Sequence, residues 1–212
     1  MYKCILFDLD GTLADTDLLI VEGFLHFFRK YKKGKVSLST LASLSGPSLK
    51  DSMKKYFPAY NTDEMVQEFR DFTWPLYETY IEFFEGVKEV LEVLKDNKLK
   101  LGIITSKMKE ATIKTLEVLG IENYFDHIVC IEDVNNGKPD PEGINKALEY
   151  FKVSKCDTLF VGDAITDLLA ANNAKIDCCL VSWNLRGRIE NVYPKYYVDN
   201  HIELKEVIFN GK

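Results

Sequence analysis

The chain is short of histidine, of paired cysteines and of excess positive charge, and each shortage removes a class of function. Its three histidines, His26, His127 and His201, are scattered and have no evident nucleophile or metal-ligating neighbour in sequence. That weighs against Ser-His catalysis and against a histidine metal site. The five cysteines, Cys4, Cys130, Cys156, Cys178 and Cys179, form no C-x-x-C pair, are odd in number and lie mostly in apolar runs. Reduced thiols are therefore expected, not disulfides or zinc ligands. Lysine and arginine total 27 against 33 acidic residues, a net charge of −6, so the chain carries no nucleic-acid footprint. An anionic ligand must be drawn in by local cations. No stretch approaches the roughly 20 apolar residues needed to cross a bilayer, and the N-terminus shows no basic flank with a long apolar region. A cytoplasmic protein with no membrane partner is the expectation, with monomer and homodimer both open. No internal repeat or low-complexity tract is present.

What the chain does have begins at its N-terminus. In 212 residues, 46% hydrophobic and 28% charged, there is enough material for a real core. The apolar run Cys4 to Phe7 is too short and too apolar for a half-exposed helix and reads as a buried strand. It ends in Asp8-Leu9-Asp10-Gly11-Thr12. Residues two apart on an extended chain point the same way, so Asp8 and Asp10 can both face the space beyond the strand, and Gly11 permits a sharp turn. Two carboxylates so close repel unless a proton or cation intervenes, which is the situation of a hard-metal site. Asp-Gly is also an ordinary turn after a core strand, and the fragment alone does not choose.

From Thr16 to about Phe84 the pattern is helical throughout, with a helix entered through Asp15-Thr16-Asp17, a basic loop at 31–35, a short helix at 39–44 and a turn at Ser45-Gly46-Pro47-Ser48. Helices are expected over 49–57 and 63–83, the second broken or kinked at Pro75. From Gly86 on, helices at 87–94, 110–119, 141–151, 166–174 and 202–208 alternate with strand-like runs at 100–105, 127–131, 158–161, 178–182 and 196–198. Such alternation predicts an α/β fold: a doubly wound, Rossmann-like parallel sheet, residues 1–15 and 85–212, with an inserted α-helical cap over 16–84. Function gathers beyond the carboxyl ends of such strands. There stand Asp8 and Asp10, then Thr105-Ser106-Lys107, then Gly137-Lys138-Pro139, then Gly162-Asp163 with Asp167 a turn later. Singly, Thr105 reads equally as a helix cap, Lys138 as a solvated turn lysine, and Asp163 and Asp167 as an N-cap and a macrodipole partner.

Those four groups, in that order, resemble the motifs of the haloacid-dehalogenase-like hydrolase superfamily over essentially the whole chain. The nearest likeness is to its phosphoglycolate-phosphatase and bacterial pyrophosphatase branch, carried by the turn at Ser45 to Leu49, by Lys107 and by Trp183-Asn-Leu-Arg-Gly-Arg188. The resemblance implies a Mg²⁺-dependent phosphohydrolase acting on a small phosphorylated metabolite or pyrophosphate. Asp8 would be the nucleophile, forming an aspartyl-phosphate, and Asp10 the general acid/base. Thr105, Ser106 and Lys138 would bind the phosphoryl group, and Lys138 would also be catalytic, neutralising charge on Asp8 and on the transferring group. Asp8, the Asp10 carbonyl and Asp163 would hold the metal, with Asp167 ranked behind them. Gly46, Pro47 and Lys50 are candidate substrate contacts from the cap, with Arg70 a further one. A β-phosphoglucomutase-like mutase and a non-catalytic phosphate-binding module are the alternatives. The chain departs from its relatives at Ala164, where they often carry a hydrogen-bonding residue, and at Lys175 and Asn184, where Gly is common.

Overall fold

The computed structural model describes residues 1–32, 36–37, 40–41, 43–44 and 47–211. The strands are β1 at Cys4–Phe7, β2 at Ala14–Asp15, β3 at Glu82–Phe83, β4 at Lys100–Ile104, β5 at His127–Val129, β6 at Thr158–Gly162, β7 at Asp177–Val181 and β8 at Tyr196–Val198. Six of them form one parallel sheet in the order β5-β4-β1-β6-β7-β8, and β2 pairs with β3 apart from it. β1 lies in the middle because both flanking strands pair with it, Cys4 opposite Lys100 on one side and Thr158 on the other. All four of its residues are buried, as a strand covered on both faces requires.

The two-residue alternation of β1 sorts the core. Ile5 and Phe7 join Val90, Leu91, Leu116 and Leu204 from the helices Val87–Asp96, Lys109–Leu119 and His201–Asn210. Cys4 and Leu6 point the other way, to Ile144, Leu148, Leu168 and Ala171 of the helices Glu142–Phe151 and Ile165–Ala174. This is the doubly wound arrangement expected from the alternation of helix and strand. All five cysteines are free; four are buried and Cys156 is exposed.

The helical insertion has an apolar cluster of its own, centred on Phe24, Phe27, Met53, Phe57 and Phe69. Its helices run over Asp17–Phe27, Leu49–Tyr56 and Thr62–Thr73, and Pro75 breaks the last into a 3₁₀ turn, Trp74–Leu76, and a short helix, Tyr77–Tyr80. Two expectations need correction. The segment up to Phe84 is not wholly helical: Glu82–Phe83 forms a short antiparallel pair with Ala14–Asp15, tying the exit of the insertion to its entrance. Two residues are too few for any periodicity to reveal. The strand expected to reach Ile131 stops at Val129, and Ile131–Asp133 is a 3₁₀ turn. The expected short helix at 39–44 and the turn at 45–48 lie partly outside the described residues, at 39, 42, 45 and 46.

Gly23 is where the insertion is packed most tightly. A methyl group there would sit 2.4 Å from ring atoms of Phe69 and 2.9 Å from Thr73. The Phe69 ring is hemmed in by Phe24 and Phe27, whose tilted rings lie with centroids 5.0 and 5.7 Å away. Alanine gains about 1 kcal/mol over glycine in helix propensity, but overpacking a filled core costs about 1–3 kcal/mol. Gly23→Ala is thus expected to lower the urea midpoint, and a raised midpoint would show that the cluster is loosely packed.

Candidate active site

Everything at the rim is built off the tip of β1. The Asp8 amide donates to Val161 O at 2.8 Å, which carries the parallel pairing one residue beyond the strand. The chain then turns tightly: the Leu9 carbonyl accepts from the Leu13 and Ala14 amides, and Gly11 takes a φ of +82°. Gly11 also allows a close approach, for a Cβ there would lie 2.4 Å from an Asp163 carboxylate oxygen. Only glycine meets both demands.

Asp8 is 5% exposed and its Oδ1 is 2.8 Å from Lys138 Nζ, which also donates to Asp167 Oδ1 at 2.6 Å. The Lys138 loop is folded by Glu142, whose carboxylate accepts the Asn135 and Asn136 amides at 3.0–3.1 Å. The Asn173 side chain donates to Pro139 O from the neighbouring helix. Asp167 uses its other oxygen to accept the amides of Asp163 and Ala164, so it is both a lysine partner and a cap on the following helix. Asp163 is closed in from all sides. Thr12 Oγ1 donates to it at 3.1 Å, Asn184 Nδ2 donates to it at 2.5 Å, and the Arg186 guanidinium contacts it.

Asp10 stands apart from this group. Its Oδ1 accepts from Lys107 Nζ at 2.7 Å and from Thr16 Oγ1 at 2.8 Å. Thr16 therefore does not cap the first helix of the insertion with its side chain, as its position suggested; its hydroxyl is spent on Asp10. Thr105 Oγ1 accepts the Lys107 amide at 3.1 Å, which orders the Thr105-Ser106-Lys107 turn well before the helix starts at Lys109.

Burial drives the Asp8 carboxyl up to about 7, against the pull of Lys138 and with help from Asp167 and Asp10. Burial also works to discharge Lys138, but the Asp167 and Asp8 carboxylates outweigh it and hold the ammonium above its ordinary value. Lys107 is raised in the same way, Asp10 and Tyr77 overcoming burial. For Arg186 burial wins, lowering it in spite of Asp17 and Asp8. The charge on Asp8 is thus disfavoured first by burial and then by the excess of carboxylates around it. Asp8, Asp163 and Asp167 each offer an oxygen within 4.8 Å of the others, all three buried. This all-oxygen donor set fits a hard divalent cation, which would relieve the excess.

Of the residues picked out in sequence, Asp8, Lys138, Asp163 and Asp167 thus come together, while Asp10 and Thr105 lie on the adjoining wall with Lys107. Asp8, Asp10, Thr105 and Ser106 border a cavity of about 470 Å³ that Pro47 and Lys50 also line. Gly46 lies outside the described residues. Arg186, Asn184 and Glu142 were not assigned a role at the site from sequence. Arg186 and Asn184 follow β7 at the same rim, a position that could have drawn attention to them.

A family profile for haloacid dehalogenase-like hydrolases matches residues 5–181. The chain belongs to that family. Pyrophosphatase PpaX of Halalkalibacterium halodurans is 35% identical over 206 residues, 96% of this chain and 95% of that protein. Among solved structures, this haloacid dehalogenase-like chain superposes on one from Clostridium acetobutylicum described as a predicted phosphatase, with a TM-score of 0.85, 26% identity and 98% of each chain covered. A haloacid dehalogenase-like family hydrolase from Streptococcus pneumoniae shares the fold at a TM-score of 0.84, with 24% identity and 96% of each chain covered.

The proton demand of Asp8 has a measurable consequence in metal-free protein. Its folded value of about 7 lies above the ordinary one of about 3.9, so between the two the native state binds more protons than the unfolded chain. The stability this supplies is full below about pH 4 and is lost as pH rises through about 7. In chelator-treated protein the urea midpoint of the parent is expected to fall from pH 5 to pH 8 relative to that of Asp8→Asn. Parallel profiles would show that Asp8 is not held protonated.

Proposed function

We propose that the chain is a Mg²⁺-dependent phosphohydrolase that acts on small phosphorylated compounds through an aspartyl-phosphate at Asp8. Residues 1–15 and 85–212 form its catalytic core and residues 16–84 its cap. The observation that carries this reading is the 2.8 Å pair of Asp8 and Lys138 beside the carboxylates of Asp163 and Asp167. A nucleophile, a cation to neutralise it and donors for a hard metal meet at one strand tip.

The Asp8 carboxylate attacks phosphorus and the ester oxygen leaves, so one P–O bond forms as another breaks. Lys138 screens the approach of one anion to another. Lys138, the Thr105 hydroxyl and Ser106 hold the phosphoryl oxygens. Asp10, held in place by Lys107 and Thr16, gives its proton to the leaving oxygen and then takes one from the water that hydrolyses the acyl phosphate. Asp8, the Asp10 carbonyl and Asp163 would hold Mg²⁺, which would supply positive charge to keep Asp8 ionised and to stabilise the phosphoryl oxygens. Asp167 acts through Lys138, fixing its position. The name of the PpaX relative makes pyrophosphate one compound to assay.

The test is turnover of an aryl phosphate. Activity is expected to disappear with a chelator and return with Mg²⁺. Asp8→Asn is expected to lose about 10⁴-fold or more, and Lys138→Ala about 10²–10³-fold, with Asp8→Asn still folded by thermal unfolding. Turnover by Asp8→Asn within tenfold of the parent would remove the covalent route.

A further inference from the structure

The phosphoryl end of the site opens into the 470 Å³ cavity between the helical insertion and the core, and that space is far larger than a second phosphoryl group needs. Pockets of about 300–1,000 Å³ hold drug-sized ligands. Beyond Asp8 and Asp10 its wall is dominated by apolar side chains, Ile20, Phe24, Leu49, Val66 and Phe69 from the insertion and Ile131 from the core.

Three cations reach the cavity among the described residues, and each already faces a carboxylate. Lys107 is 2.7 Å from Asp10, Lys50 is 2.7 Å from Asp63, and Arg70 contacts Glu110. Arg70 Nε is buried without a hydrogen-bond partner, so it has one bond to give, but its charge is already matched. Asp51 adds one further carboxylate to the same wall. Among the described residues, a leaving group carrying the charge of orthophosphate would meet no cation here that lacks a carboxylate partner, and it would leave the apolar wall unfilled. Taking an anion out of water without a paired cation is costly, whereas each methylene that fills an apolar wall is favourable.

We infer that the ligand of this site is a phosphomonoester whose ester group is an uncharged, mainly apolar body of several carbons, seated against Phe24, Val66 and Phe69. The inference rests on the phosphohydrolase reading for its chemistry and deepens it by naming the leaving group. It runs against pyrophosphate as the preferred substrate.

Alkylphosphonates from methyl to hexyl, which cannot be hydrolysed, test it by calorimetry on the full chain with Mg²⁺. Affinity is expected to rise about fourfold per methylene, with a heat-capacity change that grows more negative with length. Val66→Asp is expected to flatten that slope. Affinity that is level or falls with length overturns the inference, as does imidodiphosphate binding more tightly than hexylphosphonate. Hydrolysis of the matching alkyl phosphates is followed separately. A rising slope without any hydrolysis upholds the apolar seat and removes the hydrolase reading, whereas hydrolysis with a flat slope does the reverse.

Discussion

Concentrated negative charge at the end of a buried strand is the constraint to which the rest of this molecule answers. Asp8, Asp163 and Asp167 are all under 6% exposed, and taking each ion out of water costs several kcal/mol. A folded chain accepts that only if cations and donors are brought to meet the carboxylates. Lys138 meets two of them at once. Thr12 and Asn184 donate to the third and Arg186 lies against it, and backbone amides at the start of a helix stabilise Asp167. Even so, Asp8 is left seeking a proton. An arrangement that only had to be stable would have replaced these groups with apolar ones. The residual charge is what an enzyme of this family uses, because in a dry site each interaction with a developing charge is stronger than in water.

The sheet order follows from the same requirement. With β1 between β4 and β6, the two adjacent strand ends bring Thr105 and Asp163 to either side of Asp8. Lys138 arrives from the loop after β5, and Arg186 from the loop after β7. The left-handed turn at Gly11 then lets the chain pass close beneath Asp163 before it leaves for the helical insertion. The antiparallel pair of Ala14–Asp15 with Glu82–Phe83 returns the chain to the same edge, so the insertion is fixed at the rim, where it can wall the cavity. Thr16, first residue past that pair, bonds back to Asp10. The junction and the wall of the site are one piece of structure.

Much of this was legible in the sequence because it rests on local rules. The four-residue apolar run of β1, its Asp-x-Asp-Gly end and the later alternation of helix and strand each carry a period or a turn chemistry that reads without a partner. Lys138 was legible only through its family likeness, since a lysine before proline in a loop has no local signature of ion pairing. What escaped was pairing set by tertiary approach. Nothing near Arg186 or Asn184 in sequence says that they will meet Asp163. Nothing around Thr16 says that its hydroxyl will prefer Asp10 to a helix amide. Nothing in Glu142 says that it will fold the lysine loop. Lys175, at a place where glycine is common in relatives, takes a left-handed φ of +61°, a conformation glycine adopts without strain.

The charged rim and the apolar cavity beside it are consequences of one another. Asp10 and Lys107 border the same cavity as the apolar walls of Phe24, Val66 and Phe69, and the burial of both side chains strengthens their 2.7 Å pair and holds the Asp10 carboxylate in one orientation. The same walls limit what can approach. A ligand must present its phosphoryl group to the few uncommitted donors and fill the remaining space with carbon. One that is charged at both ends loses its water at the second end and meets there, among the described residues, Lys50, Arg70 and Lys107, each already paired with a carboxylate. Selectivity in such a site comes less from a contact made than from a hydration shell that cannot be replaced.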